Sequence, residues 1–112
     1  MKFIISVIKS HKLDSVREAL SDIGIVAMTV SEIKGFGRQK GQTEIYRGSE
    51  YSASFVPKVK LEIAVDDTLA ARAVEIVRQA ARTETIGDGK IFVLGLEGAM
   101  RVRTGETGDI AL

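Results

Sequence analysis

The order in which apolar spacing changes along the chain constrains its fold more than any other feature. Runs of β-branched and aromatic residues with strand-like spacing are interrupted by two runs in which apolar residues recur every three or four positions. The predicted strands are 3–8, 27–33, 59–65 and 91–96, and the predicted helices are 13–23 and 69–80. This βαββαβ order favours an α+β fold, the ferredoxin-like sandwich, in which both helices cover one face of a four-stranded sheet. A length of 112 residues leaves room for a single domain, 1–112.

Residues that suit helix ends support these boundaries. Asp14 falls in the first turn of the first helix, where the helix dipole favours a carboxylate, and Gly24 follows the last apolar position as a C-terminal cap. Asp66, Asp67 and Thr68 offer N-caps for the second helix. We therefore interpret the Asp66–Asp67 pair as helix capping and not as a pair of catalytic carboxylates.

A long polar segment separates the second and third strands. Residues 34–54 break the apolar pattern and contain four glycines, and Pro57 is predicted to end this loop. Loops of this length are uncommon in compact domains and are usually functional or mobile. Near the C-terminus, 100–103 is predicted to be a short extended piece and the polar tail 104–112 to be mobile.

The first and last strands are largely apolar on both faces. Because the helices cover only one face of the sheet, something else must cover the other. We expect a second copy of the chain to do so. The alternative is that the C-terminal segment folds across this face, which its short length and polar composition disfavour.

Composition excludes several classes of protein. Sixteen Lys+Arg against fifteen Asp+Glu give a net charge of +1, which argues against bulk attraction to nucleic acid or anionic lipid. The chain has no cysteine for a disulfide or a thiolate metal site, and its one histidine cannot form a histidine cluster. No apolar run approaches the length of a membrane span, and residues 1–3 lead directly into a strand-like run. We therefore expect a cytoplasmic protein without direct membrane insertion.

Three short motifs could bind an anion. The glycine-rich run 34–41 allows close approach of the backbone to a ligand, with a flexible loop start as the alternative. The run 86–90, Ile-Gly-Asp-Gly-Lys, is either a phosphate cradle or a tight strand-entry turn with a solvated lysine. Period-two spacing in 101–103, Arg-Val-Arg, would place both guanidinium groups on one face, where they would join Lys90 as cations for a polyphosphate. A solvated edge is the alternative for this third motif.

Signals for catalysis are weak. His11 is the only histidine and lies just before the first predicted helix, and no nucleophile has a base at a meaningful spacing. We predict that the protein is not an enzyme, with a slow ATPase or phosphotransferase as the alternative. An RNA-binding module is a weaker alternative: 34–37, Lys-Gly-Phe-Gly, imitates the start of an RNP1 motif, but the next two residues depart from it.

Together these segments resemble the PII nitrogen-regulatory signal proteins over essentially the whole chain. Segments 34–41 and 43–51 resemble the family's T-loop, about 37–55; the run 86–93 resembles its B-loop, about 82–90; and 101–106 resembles its C-loop, about 101–112. The resemblance implies a homotrimer of ferredoxin-like subunits. It also implies that ATP or ADP binds in the clefts between subunits and that 2-oxoglutarate binds with Mg²⁺ and ATP at the base of the T-loop.

The resemblance further assigns roles to individual residues. The nucleotide-binding residues would be Val7, Thr29, Gly35, Phe36, Gly37, Arg38, Gln39, Ala64, Gly87, Asp88, Gly89, Lys90, Arg101, Val102 and Arg103. 2-Oxoglutarate would contact Gly37, Arg38, Gln39, Gly41 and Lys58, and Gln39 would also ligate Mg²⁺ beside the ATP phosphates. Tyr51 would be the site of uridylylation and Ser49 a site of phosphorylation. Without the resemblance, Gln39 would be interpreted as a solvated loop residue and Lys58 as a lysine at a strand edge.

The family controls other proteins through the shape of the T-loop. The implied partners are an ammonium channel, a uridylyl- or adenylyl-transferase, or a sensor kinase, and a channel partner would recruit the protein reversibly to the membrane. Two positions depart from the family pattern: Ser10-His11 stands where Pro-Phe is common, and Glu84 stands where glycine is common. Glu84 would bring a carboxylate towards the phosphates and weaken nucleotide binding.

Overall fold

The element order of the protein matches the predicted βαββαβ arrangement. The computed structural model describes residues 1–36 and 55–112, with the backbone alone described at Phe36. The elements are β1 (Lys2–Lys9), a 3₁₀ turn (Ser10–Lys12), α1 (Leu13–Ser21), β2 (Thr29–Phe36), β3 (Phe55–Val65), α2 (Asp67–Ala81), β4 (Gly89–Gly95) and a C-terminal 3₁₀ turn (Gly108–Ala111). Within the described ranges, no helix is both long enough and apolar enough to cross a membrane.

The four strands form one antiparallel sheet in the order β2-β3-β1-β4. β1 and β3 are the central strands, and their register pairs Ile4 with Ile63 and Ile8 with Val59. This strand order and the two helices confirm the ferredoxin-like α+β fold that the element order predicts.

The hydrophobic core lies between one face of this sheet and the helices. Ile4 and Ile8 of β1 are almost fully buried there, and they pack with Leu61 of β3, Leu20 of α1 and Val77 of α2. Because successive side chains of a strand point to opposite faces, the residues between them belong to the other face. The helices therefore pack against every second residue of the central strands.

The sheet face turned away from the helices, called here the open face, carries apolar side chains that the subunit does not cover. Phe92 and Leu94 of β4 pair with Ile5 and Phe3 of β1 and are 48% and 46% exposed. Their exposure shows that the C-terminal segment does not fold across this face, so the alternative cover for the sheet is wrong. That a second copy of the chain covers the open face stays a prediction.

The ends of both helices follow the predicted capping. Gly24 has φ +88°; its N–H donates to Ser21 O at 2.9 Å, and the N–H of Ile25 donates to Leu20 O at 3.0 Å. These two bonds form a Schellman motif that ends the α1 region. At α2, Asp66 accepts hydrogen bonds from the N–H groups of Thr68 (2.9 Å) and Leu69 (3.1 Å), which confirms its role as an N-cap.

The hairpin formed by β2 and β3 extends beyond the predicted strands. β2 covers Thr29–Phe36 instead of 27–33, and β3 begins at Phe55 instead of 59, so 34–36 and 55–58 are paired strand and not loop. The pattern missed them because backbone hydrogen bonds hold this two-stranded extension without regular burial of alternate side chains. Pro57 is tolerated inside β3 because β1 ends opposite Lys58, so that among the described strands β2 alone pairs with β3 at Pro57.

The C-terminal segment folds back on itself, so the predictions of an extended piece and a mobile tail are wrong. Met100 pairs with Thr107, the N–H of Arg101 donates to Glu106 O at 2.8 Å, and the N–H of Gly105 donates to Arg101 O at 2.8 Å. Gly105 and Gly108 have positive φ values of 76° and 79°, which reverse the chain direction where an L-residue would be strained.

Candidate functional site

The B-loop is folded around the carboxylate of Asp88. This carboxylate accepts hydrogen bonds from the N–H groups of Thr83 (2.7 Å) and Glu84 (2.8 Å) and from the Thr83 hydroxyl. Lys9 Nζ, from the end of β1, lies 3.3 Å from Asp88 Oδ1. Burial raises the pKa of the Asp88 carboxyl, but the hydrogen bonds from Thr83 and Glu84 outweigh burial and hold the pKa well below its ordinary value. Asp88 is therefore ionised at neutral pH and fixes the shape of the loop.

Glu84 directs its carboxylate to Arg82, which lies within the same loop. The Glu84 carboxylate lies 2.9 Å from an Arg82 guanidinium nitrogen, and both side chains are largely exposed. The backbone of Glu84 has φ +63°, a left-handed conformation that glycine adopts without strain. Glu84 therefore adopts a backbone conformation that a glycine would adopt with less strain, and its carboxylate is paired with Arg82.

Gly89 is required by the packing of the loop against β1. It has φ +107°, and a Cβ at this position would lie 1.8 Å from the carbonyl oxygen of Val7. No side chain can be accommodated at that distance. The second glycine of the Gly-x-Gly turn therefore serves the entry into β4, whatever it also contributes to ligand binding.

Lys58, in β3, contacts the B-loop. It lies opposite Ile33 of β2 and Lys9 of β1, is only 7% exposed, and donates a hydrogen bond from Nζ to Gly87 O. Burial lowers the pKa of Lys58, the nearby Lys9 lowers it further, and Asp88 opposes both effects. The interpretation of Lys58 as a lysine at a strand edge is wrong, because β3 has neighbours on both sides at this point.

Several of the predicted nucleotide-binding residues share the open face, spread along the length of the sheet. The strand register places Val7, Thr29, Gly35, Ala64 and Lys90 at open-face positions. Lysines occupy the same face in two adjacent rows across the sheet. These are Lys58 beside Lys9, and Lys60 and Lys90 on either side of Val7. Two carboxylates lie near these rows, Asp88 beside Lys9 and Glu62 two residues from Lys60 on the same face of β3, and the four lysines outnumber them, so this end of the face carries an excess of positive charge suited to a polyphosphate.

The two C-terminal arginines lie at the other end of the subunit. Gly89 pairs with Ile8 at one end of β4 and Gly95 pairs with Lys2 at the other, a span of about 20 Å for a strand of this length. Leu96 then donates to Met1 O, and the C-terminal hairpin begins beyond it. Arg101 and Arg103 therefore do not meet Lys90 within one subunit.

The C-terminal hairpin also differs from the extended segment that was predicted to place both guanidinium groups on one face. Residues 102–104 form a turn, so the period-two placement of Arg101 and Arg103 is wrong. The Arg101 guanidinium contacts Glu106 Oε1 at 3.3 Å and the carbonyl oxygens of Ile110 (3.2 Å) and Leu112 (3.4 Å). These contacts fix Arg101 on its own hairpin.

A cavity of about 310 Å³ lies beside the B-loop, on the helix side of the sheet. Ile8, Ala81 and Ile91 form its apolar lining, and Arg78, Arg82, Asp88, Gly89 and Lys90 complete it. It shares only Asp88, Gly89 and Lys90 with the predicted nucleotide-binding residues. Of the open-face positions, Lys90 borders this cavity, whereas Val7, Thr29, Gly35 and Ala64 are not part of its lining.

Comparison with known proteins identifies the relatives of this chain. The model of the family described as nitrogen regulatory protein P-II matches residues 1–106. The chain belongs to this family. It is 59% identical to the nitrogen regulatory protein P-II of Rhizobium etli and 57% identical to that of Rhodospirillum rubrum, in each case over 100% of both chains. It is 54% identical to the nitrogen regulatory protein P-II 1 of Escherichia coli, again over the full length of both.

Several predicted site residues lie outside the part of the chain that the structure describes. They are Gly37, Arg38, Gln39, Gly41, Ser49 and Tyr51, and their roles stay predictions. In residues 1–36 and 55–112, no group of three or more acidic or histidine side chains is placed to hold a metal ion.

Sequence reasoning missed Lys9 as a member of the site. Its ammonium group contacts Thr83 Oγ1 at 3.0 Å and Thr85 Oγ1 at 2.6 Å in addition to Asp88. The alternation of β1 places Lys9 on the same face as Val7, which is the one signal that pointed to it. Its B-loop partners lie more than 70 positions away and could not be recognised from local spacing.

Proposed function

We propose that this chain is a nitrogen-regulatory signal-transduction protein that binds ATP or ADP in clefts between the subunits of a homotrimer. The observation that carries the proposal is the pair of lysine rows on the open face, beside the B-loop and next to apolar surface that one subunit leaves uncovered. A nucleotide combines a planar apolar base with a polyphosphate, and this face offers matching surfaces for both. Membership of the P-II family supports the same assignment.

The two ends of the subunit provide complementary halves of the proposed site. Lys90 and the backbone of Gly87 and Gly89 would hold phosphates from one subunit, and Arg101 and Arg103 of a neighbour would complete the charge. Val7 and Ala64 are half-buried apolar residues on which a purine ring could pack. An assembly around a closed symmetry axis brings such different surfaces together at every interface.

The proposed effector is 2-oxoglutarate, bound with Mg²⁺ and ATP at the base of the T-loop. Lys58 suits its distal carboxylate, because the buried ammonium group now donates to the neutral carbonyl of Gly87 and an ionised acceptor would bind it more strongly. Gln39 would supply an oxygen ligand to Mg²⁺, and Gly37, Arg38 and Gly41 would contact the effector. Contacts at both ends of the T-loop would change its shape and hence its binding to a partner.

The proposed targets are an ammonium channel, a uridylyl- or adenylyl-transferase, or a sensor kinase. The protein would act in the cytoplasm and reach the membrane through a channel partner. Uridylylation at Tyr51, or phosphorylation at Ser49, would add bulk and negative charge to the T-loop and alter these contacts. Mass spectrometry of the protein from nitrogen-starved cells tests this part, and a modification that maps to Tyr46, the other tyrosine of segment 43–51, would contradict it.

Calorimetric titration with ATP, with and without Mg²⁺ and 2-oxoglutarate, tests the proposal. We expect ATP to bind, and 2-oxoglutarate to bind only when Mg²⁺ and ATP are present. Lys58→Ala should abolish the response to 2-oxoglutarate while leaving Mg²⁺-free ADP binding nearly intact, and Arg17→Ala, an exposed change on α1, is the control. A wild type that binds no ATP contradicts the proposal. Steady-state release of phosphate faster than nucleotide exchange would favour the ATPase alternative.

A further inference from the structure

Side chains from both sides of the B-loop turn contact the ammonium group of Lys9. Before the turn, the hydroxyl oxygens of Thr83 and Thr85 lie 3.0 Å and 2.6 Å from Lys9 Nζ. After the turn, Asp88 Oδ1 lies 3.3 Å from the same atom. A lysine ammonium group has three N–H donors, so these three acceptors can use all of them. Lys9 therefore links residues on both sides of the turn.

The position of Lys9 is fixed by the sheet and not by the loop. It is the last residue of β1, paired with Lys58, and its side chain is 24% exposed. The neighbouring Lys58 holds the same loop through Gly87 O. Two ammonium groups thus anchor the loop from the end of the sheet, although their mutual repulsion opposes this arrangement unless Asp88 is present to offset it.

We propose that Lys9 is a positioning residue for the nucleotide site, which keeps the phosphate-binding backbone at 87–89 in its binding shape before the nucleotide arrives. This inference rests on the proposed function and extends it to a residue outside the predicted set. Lys9 acts through Asp88, Thr83 and Thr85, all of which are already its partners. A preformed loop loses less conformational freedom on binding, so removing Lys9 should weaken affinity without removing a contact to the ligand.

The test compares ATP affinity in three variants of the full chain at a temperature where all remain folded. Lys9→Met keeps the length of the side chain and removes its charge and donors, and we expect ATP binding to weaken on the order of ten-fold. Lys9→Arg retains the charge and several donors and should restore part of the loss. Lys2→Met, the same change at the opposite end of β1, should bind ATP as the wild type does.

Hydrogen exchange separates loop positioning from a general loss of stability. Without nucleotide, Lys9→Met should speed exchange of the Thr83 and Glu84 amides, which bond to Asp88, and leave the β1 and β3 amides unchanged. Uniformly faster exchange would contradict a local role. A double-mutant cycle with Asp88→Asn adds a second criterion. If both residues act through one loop, the loss of ATP affinity in the double variant should be well below the sum of the losses in the two single variants.

The outcomes distinguish this inference from the function on which it rests. If the wild type binds ATP and Lys9→Met binds it equally well, only the positioning role is overturned. Fully additive effects of Lys9→Met and Asp88→Asn on ATP affinity would show that the two residues act independently and would also overturn it. If the wild type binds no ATP, the proposed function fails, and the amide exchange still decides whether Lys9 holds the loop.

Discussion

Gly89 joins the B-loop to β4 at a point where the loop passes directly over the backbone of β1. The carbonyl oxygen of Val7 occupies the space that a Cβ would need, and φ is +107°. Lys58, Asp88 and Lys9 are similarly constrained by neighbours that belong to the fold. At the scale of single residues, the shape of the candidate site is thus set by packing, and substitutions there should affect stability as well as binding.

Gly89→Ala should destabilise the protein strongly. The left-handed backbone alone costs a non-glycine residue about 1–2 kcal/mol, and the clash with Val7 adds to it. Gly98→Ala is a matched control, because nothing lies within 4 Å of the Cβ that it would introduce. Urea unfolding monitored by circular dichroism measures both. Equal free energies of unfolding for the two variants would show that Gly89 is not packed as described.

The B-loop is the element in which charge and backbone geometry depend most on each other. The Asp88 carboxylate, near one end of the loop, accepts hydrogen bonds from the backbone N–H groups of Thr83 and Glu84 near the other end. The loop therefore needs Asp88 in its ionised form. The hydrogen bonds from Thr83 and Glu84 overcome the effect of burial and depress the pKa of Asp88. The loop should therefore loosen in acid before the sheet does.

The stability contributed by Asp88 should decrease as pH falls. A depressed pKa in the folded state means that this contribution is fully present above the ordinary aspartate pKa of about 3.9 and is lost as pH falls below it. At neutral pH, Asp88→Asn should lower the free energy of unfolding by about 1 kcal/mol or more. In urea titrations the difference in free energy of unfolding between the two proteins should be constant above about pH 4 and should narrow as pH falls further; a difference that stays constant in acid would contradict the account.

Elements with regular burial were predictable from the sequence, and elements held by backbone pairing or turns were not. β1 and most of β3 alternate buried and half-buried residues, and Asp66 caps α2 as its position predicts. The extension of β2 to Phe36 and the C-terminal hairpin lack that alternation, since main-chain bonds and glycine turns form them. In the site, Gly87 and Lys90 were recognisable by their motif, whereas Lys9 depends on a contact between distant positions.

At the scale of the whole molecule, the subunit is incomplete in two respects. Its open face exposes the aromatic and aliphatic side chains of β4, and its C-terminal arginines follow the far end of β4, a strand of about 20 Å that begins beside the B-loop lysine they would assist. Assembly of subunits around the open face would cover these apolar side chains. It would also place the C-terminal hairpin of one subunit beside the B-loop of its neighbour. Assembly and nucleotide binding are therefore predicted to share one interface.

A charge on the open face should disrupt the assembly. Phe92 is 48% exposed in the single subunit, and burying such a side chain contributes about 1.5–3 kcal/mol. Sedimentation should give three times the subunit mass of 12.1 kDa for the wild type and a smaller species for Phe92→Glu. Ser15→Glu, on the exposed side of α1, should leave the mass unchanged. A wild type that sediments as a single subunit would contradict the predicted trimer.

The central claim, that each nucleotide site is shared between two subunits, is tested most directly by mixing two inactive variants. Lys90→Ala and Arg101→Ala/Arg103→Ala each damage one half of the site, and neither alone should bind ATP as the wild type does. Refolding them together in equal amounts should restore about one quarter of the sites, because random mixing pairs an intact B-loop with an intact neighbouring hairpin at that frequency. Calorimetry counts the restored sites. Recovery near that fraction supports a shared site, and no recovery from a mixed, folded assembly would contradict it.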